Sequence, residues 1–254
     1  MSAQRLTEPP AHVHPDCIFD FDIYEPPEVK TDFHLAWSSL QSDGKPDIIW
    51  TPRNGGHWIP TRAIIIKEVM ADYEHFSSRN IMIPKSLGSD HMLIPTTLDP
   101  PEHRPFRRLL NDNLARSDIL PMEKTIRETA IELIENVRQQ GRCNFSSDYA
   151  DIFPISIFLR LMNLPIEDAV QTKYWCDQLL RPDGTLTFSE AMQKLFAYLE
   201  PYVDQRRGGE GNDVLTRLVN CNVEGRLISK DEAMRLAVQL LIAGLDTVAV
   251  SYTH

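Results

Sequence analysis

The sequence predicts a mainly helical protein with a small antiparallel β part. Three observations carry this. Apolar residues recur at helical spacing, most plainly in Ala233, Leu236, Ala237, Leu240 and Leu241. Polar residues of capping type open such stretches, as in Ser229-Lys230-Asp231-Glu232. No alternating strand–helix units and no dinucleotide-binding glycine loop occur.

The elements follow in order. Residues 1–30 are Pro-rich and aperiodic, a segment that packs onto the body or stays loose. Thr31 to Leu40 reads as a short helix. Ile48-Ile49-Trp50 and His57-Trp58-Ile59 read as a hairpin, with Asn54-Gly55-Gly56 as a turn that needs positive φ. Thr61 opens a helix through about Tyr73. Residues 77–98 form a long loop without period, and long loops are often binding loops. Asp99-Pro100-Pro101-Glu102 resembles a helix start, with Asp99 as N-cap and Pro100 at the first helical position. Helices are expected at about 122–140, 148–163, 167–181, 188–207 and 212–220, then a small hairpin around Gly225 and a last helix from Ser229. All of this is read as one domain, 1–254.

Composition narrows the function. The chain has 254 residues and a net charge of −10. That balance argues against nucleic acid, whose phosphates demand a basic face, so no nucleic-acid partner is expected. No run of about 18 apolar residues is evident and no secretory segment opens the chain, so no membrane association is expected. Cys17, Cys143, Cys176 and Cys221 are scattered without a CxxC pair, which signals neither zinc nor a disulfide framework. A reducing cytoplasm is the simplest setting.

Three stretches can carry chemistry. In Ala243-Gly244-Leu245-Asp246-Thr247 a hydroxyl inside a helix can bond the carbonyl of Ala243 and loosen the helix there. Small residues at 243 and 244 would then let a flat ligand approach, with a carboxylate and a hydroxyl able to relay protons. Alternatively, Gly244 ends one helix and Asp246 caps the next. In the stretch from Asp99 to Arg108, His103 and Arg107 share a helix face, with Arg104 and Arg108 beside them. These cations can grip a carboxylate or steer an acidic partner, or simply form a solvated face. In the 77–98 loop, Met82, Ile83, Leu87, His91, Met92, Leu93 and Ile94 either close the core or line an apolar pocket. Glu232-Ala233-Met234-Arg235 is an ExxR string that doubles as part of a capping box.

Six strings occur in one order: NGGHWIPTR, HFSS, IPTTLDPPEHRPFR, CNFSSDYADIFPI, RPDGTLTF and LLIAGLDTV. Together they resemble the soluble bacterial cytochromes P-450 of class I, and specifically the camphor-hydroxylase group. The resemblance runs from about residue 12 to the end. It implies the N-terminal portion of the cytochrome P-450 fold, ending in the oxygen-binding helix. It also implies haem b, and a monooxygenase reaction that inserts one atom of O2 into a C–H bond of a small apolar, terpenoid-like substrate. Electrons would come from a [2Fe-2S] ferredoxin with its NADH-dependent reductase, in a cytoplasmic monomer.

The resemblance assigns roles residue by residue. Thr247 would hydrogen-bond the activated oxygen, and Asp246 would help deliver protons, held by ion pairs from Lys173 and Arg181. Ala243 and Gly244 would form the oxygen groove. His103 and Arg107 would hold the haem propionates, and Arg104, Arg107 and Arg108 would face the ferredoxin. Met82, His91, Leu93, Thr96, Gln239 and Ile242 would line the substrate pocket. The chain departs from the camphor enzyme at four of these places. His91 replaces a tyrosine, Met82 a phenylalanine, Gln239 a leucine and Ala243 a glycine, so the substrate is expected to differ from camphor. The family's haem-ligating cysteine loop is absent, so no metal ligand is assigned. The competing expectation is therefore a catalytically inactive fragment, or a helical binding remnant that cannot ligate haem iron.

Overall fold

The computed structural model describes residues 6–26, 32–87 and 92–253. They fall into two compact units, residues 1–90 and 91–254.

The first unit is built on a hairpin. Strands β1 (Ile48–Thr51) and β2 (His57–Pro60) pair antiparallel with Trp50 opposite Trp58. The connecting Asn54, Gly55 and Gly56 all take positive φ, at 53°, 88° and 74°. Gly56 is required there, because a Cβ would lie 2.7 Å from the Trp50 ring. Alternation along the strands sends Ile49 and Ile59 into a small core with Phe21 and Leu40. The Pro-rich segment packs onto this hairpin: Phe19 N–H donates to the Trp50 carbonyl at 2.9 Å, and Thr51 Oγ1 donates to the Phe21 carbonyl at 2.7 Å. Helix α1 (Phe33–Ser39) begins where the Asp32 carboxylate accepts from the His34 and Leu35 amides. Helix α2 spans Ala63–Ala71. Thr61 does not cap it, because its hydroxyl donates to the Pro46 carbonyl instead.

The second unit is a helical bundle. It comprises α3 (His103–Asn113), α4 (Arg116–Ile119), α5 (Glu123–Arg138), a π-turn at Ser146–Ala150, α6 (Ile152–Leu161), α7 (Ala169–Leu180), α8 (Phe188–Arg206) and α9 (Val214–Val219). A two-residue hairpin follows, β3 (Asn222–Val223) and β4 (Arg226–Leu227), and then α10 (Lys230–Leu245) and α11 (Thr247–Thr253). Leu195, Leu199, Leu215, Leu236 and Leu241 are fully buried at its centre. Burial of one such side chain stabilises the fold by about 1.5–3 kcal/mol.

Two expectations about helix starts differ in outcome. At Ser229 the capping box is complete, with side-chain and backbone groups of Ser229 and Glu232 bonded in both directions. At Asp99 the helix begins three residues later than expected, at His103 rather than Pro100. Glu102 is its flanking residue and makes no side-chain cap. Pro101 disfavours helical backbone at Pro100, so the helix cannot run through the pair.

The membrane expectation also needs correction. Lys230–Tyr252 is long and apolar enough to cross a bilayer by length and composition, yet 56% of its most apolar window is buried inside the protein. It is the helix pair α10–α11, whose buried face includes Leu236, Leu241 and Leu245 while Val248 and Tyr252 are exposed.

Candidate functional site

The break expected near Thr247 lies between α10 and α11. Leu245 ends one helix, Asp246 sits at the bend, and Thr247 begins the next. Thr247 Oγ1 donates to the Ala243 carbonyl at 2.9 Å. The hydroxyl thus takes the carbonyl four residues back, a bond that bends helices locally. Both readings of this stretch had part of the geometry: the hydroxyl bonds back to Ala243, and a second helix starts after Asp246. Gly244 does not end α10, which runs one residue further.

Asp246 is 7% exposed. A buried carboxylate needs a partner, and Arg181, at the end of α7, donates its Nη2 to Asp246 Oδ1. Lys173 does not reach Asp246. Its Nζ donates to both oxygens of Asp177 at 2.5 and 2.6 Å, and Asp177 also meets Arg181 at 3.5 Å. Lys173 and Asp177 stand four residues apart on one face of α7, and Arg181 follows four later just past its end, so the nearest carboxylate captures the lysine. The link to Asp246 runs through Asp177 and Arg181. Sequence reading missed Asp177, although its spacing of four from both cations could have revealed it.

Beside the break lies a groove of about 560 Å³. Pro95, Thr96, Leu110, Leu114, Leu240 and Ala243 line it, together with Arg107, Asn111 and Gln239. Helix α3 therefore presents two faces. Arg107 turns toward this groove, whereas Arg104 and Arg108 line a separate cleft against the β3–β4 hairpin. All three arginines are exposed, and His103, one turn before Arg107, is half-buried.

The other expected site residues lie as follows. Leu93 is buried in the helical core, and Ile242 packs against that core, so neither lines the groove. The Leu93 segment is pinned by Thr97, whose hydroxyl bonds both the amide and the carbonyl of Leu93 at 3.0 Å. In this loop Leu93 and Ile94 therefore serve core closure, whereas Met92 is exposed. Gly244 also turns away from the groove and onto α6, where a Cβ would lie 2.2 Å from the Phe158 ring. Consecutive helical residues point about 100° apart, so Ala243 and Gly244 cannot face the same ligand equally. Met82 belongs to the first unit and lines a cleft there with Asn54 and His57. His91 lies outside the described residues. The ExxR pair does not form: Glu232 binds Arg226 at 2.6 and 2.7 Å, while Arg235 binds Asp231 and the Met92 carbonyl.

The groove suits the edge and face of haem. Pro95, Leu110, Leu114, Leu240 and Ala243 give it an apolar wall, and Arg107 offers a cation for a carboxylate. It does not supply an iron ligand. None of the four cysteines lines it, and burial pushes the Cys176 thiol up to about 12.

No family model matches the chain. It is 31% identical over 251 residues to a probable cytochrome P450 127A1 of Sinorhizobium fredii, covering 95% of this chain and 60% of that relative. Among solved structures it superposes on CYP101J2 with a TM-score of 0.85 and 39% identity, covering 97% of this chain and 62% of the other. CYP101C1 gives a TM-score of 0.83 and 36% identity, covering 95% and 60%. The chain thus spans about 60% of the length of these relatives. Homologues of this kind imply a haem cofactor. By sequence and by fold, the chain is a cytochrome P450 homologue.

Proposed function

We propose that this chain forms the oxygen-activating part of a haem monooxygenase that inserts one oxygen atom into a C–H bond of a small apolar, terpenoid-like substrate. The observation that carries the proposal is the helix break at Asp246-Thr247 next to Ala243, on the wall of a groove that also holds Arg107. When bound, haem supplies the reductive activation of O2. The residues of this chain supply the rest. Arg107, with His103 one turn away, would hold the propionate carboxylates. Ala243 leaves room at the groove wall. Thr247, whose hydroxyl rests on the Ala243 carbonyl, can turn that hydroxyl to hold a proton at the reacting oxygen. Asp246 is buried but bonded to Arg181, whose side chain is 54% exposed, so the pair joins the interior to water. Arg104 and Arg108 on one face of α3, with Arg107 exposed on the other, gather cations on a chain of net charge −10, which suits an acidic [2Fe-2S] ferredoxin with its NADH-dependent reductase. We place the protein in the cytoplasm as a monomer.

Thr247→Ala in the intact enzyme that contains this chain tests the reading. NADH consumption is expected to continue while product falls several-fold and hydrogen peroxide rises. Unchanged coupling of NADH to product would exclude the role given to Thr247. An intact enzyme without a thiolate-type ferrous–CO spectrum would exclude the proposal as a whole.

A further inference from the structure

We infer that Arg217 of α9 is a positioning residue for the haem grip: it clamps the end of α3 and so holds Arg107 where a propionate carboxylate can meet it. The inference rests on the proposed reading of Arg107 as a propionate partner. It adds to that reading a residue from another helix, 104 positions after the one it clamps.

Helix α3 lies between two openings. Arg107, Asn111 and Leu114 face the groove of about 560 Å³. Arg104, Arg108 and Asp112 face a cleft of about 500 Å³ beside the β3–β4 hairpin. The buried stripe of the helix is Phe106, Leu109 and Leu110. Apolar burial holds the helix down, but it is non-directional. It resists lifting far more than rotation about the helix axis. With open space on either side, the rotation must be fixed by directional bonds.

Arg217 supplies such bonds. Its Nε donates to Asn113 Oδ1 at 2.9 Å, and its Nη2 donates to the Asn113 carbonyl at 3.0 Å. Its Nη1 donates to the Asn212 carbonyl at 2.8 Å, which ties the guanidinium to its own segment. The guanidinium is planar, so two bonds to one residue set both the distance and the direction of that residue. Asn113 passes the constraint into the helix, because its Nδ2 donates to the Leu109 carbonyl at 2.9 Å. The cation also meets the negative end of the α3 dipole. Arg217 is half-buried, so water competes for these bonds only in part.

The consequence for Arg107 is geometric. It stands six residues before Asn113, and a helix of this length turns as a unit. A rotation of about 20° carries a side chain about 6 Å from the axis through about 2 Å. Donor–acceptor distances in good hydrogen bonds spread over only about 0.5 Å. An α3 released from Arg217 therefore loses the alignment of Arg107 without losing its own fold.

The test follows haem loss to excess apomyoglobin from the intact, haem-loaded enzyme that contains this chain. Arg107→Met is expected to lose haem about tenfold faster, the worth of one charge-assisted bond. Arg217→Met should lose it about fivefold faster, and Arg217→Lys, which keeps a cation at the helix end, about twofold faster. In an Arg107→Met background, Arg217→Met should change the rate very little, because the clamp has no grip left to align. Haem loss from Arg217→Met at the unsubstituted rate overturns the inference. A fivefold effect that persists beside Arg107→Met also overturns it, since Arg217 then supports only the general stability of the protein. If Arg217→Met does not fold, Arg217→Lys carries the same comparison, and its twofold effect must vanish beside Arg107→Met. Haem held by Arg107→Met as firmly as by the unsubstituted enzyme means instead that the propionate reading is wrong, and the inference falls with it.

Discussion

Gly244→Ala isolates one packing contact and reverses a general rule. Glycine in a helix interior is about 0.8–1.0 kcal/mol worse than alanine, so the substitution in α10 should stabilise the protein if nothing opposes it. Phe158 opposes it. The new Cβ would stand 2.2 Å from Cδ2, 2.4 Å from Cε2 and 2.6 Å from Cγ of that ring. Carbon atoms pack best at about 3.5–4.0 Å, so the ring must retreat by about 1.3–1.8 Å. Phe158 packs against the main core, which limits that retreat. Overpacking of this kind costs about 1–3 kcal/mol, and three crowded ring atoms argue for the upper half of the range. After the helix-propensity gain, a net loss of about 1–2 kcal/mol remains. Urea unfolding followed by circular dichroism measures it directly. In a Phe158→Ala background the ring is gone, and Gly244→Ala should instead stabilise by about 1 kcal/mol, a coupling of about 2–3 kcal/mol across the cycle. A Gly244→Ala chain as stable as the unsubstituted one, with Phe158 in place, would refute the reasoning.

Two further outcomes follow from titrating groups. The Arg226 guanidinium, aided by the Ser229 amide, holds the Glu232 carboxyl down at about 2 against an ordinary value of 4.5. A depressed carboxylate contributes stability that is fully present above about pH 4.5 and is lost as pH falls through about 2. The urea midpoint should therefore drop across that window, by an amount worth about 1–2 kcal/mol, and Glu232→Gln should flatten it. The cysteines should separate by exposure: Cys143 is exposed, whereas Cys176 is fully buried with its thiol raised to about 12. At neutral pH an aromatic disulfide reagent should modify Cys143 first. Cys176 should react only on unfolding, since a thiol that ionises near 12 instead of 9 holds about a thousandfold less thiolate at neutral pH. Modification of Cys176 at the rate of Cys143 in the folded protein would contradict that placement.

Local chemistry made several elements legible in the sequence alone. The Asn54-Gly55-Gly56 turn, the Ser229 capping box and the Thr247 back-bond to Ala243 each depend on atoms within four residues of one another. Their geometry is fixed by backbone sterics and short-range hydrogen bonding, which any reading of the residues can apply. The helical class followed from apolar spacing, and the ordered strings carried the family resemblance. What the chain folds into was therefore written locally, down to the position of the break in its last long helix.

Tertiary structure decided which side chains meet. Nothing in the order of residues says that Gly244 faces Phe158, 86 positions earlier, or that Leu93 closes the helical core instead of lining the groove. Spacing could show the Lys173–Asp177 pair, but not that Arg181, 65 positions away in the chain, satisfies the buried Asp246. Helix α3 presents its cations at helical spacing in the sequence, but only packing assigns Arg107 to the groove and Arg104 and Arg108 to another cleft. The reason is physical. Short-range bonds fix the conformation of a segment, whereas burial and the pairing of charged groups are settled by whichever neighbours the assembled helices bring within a few ångströms.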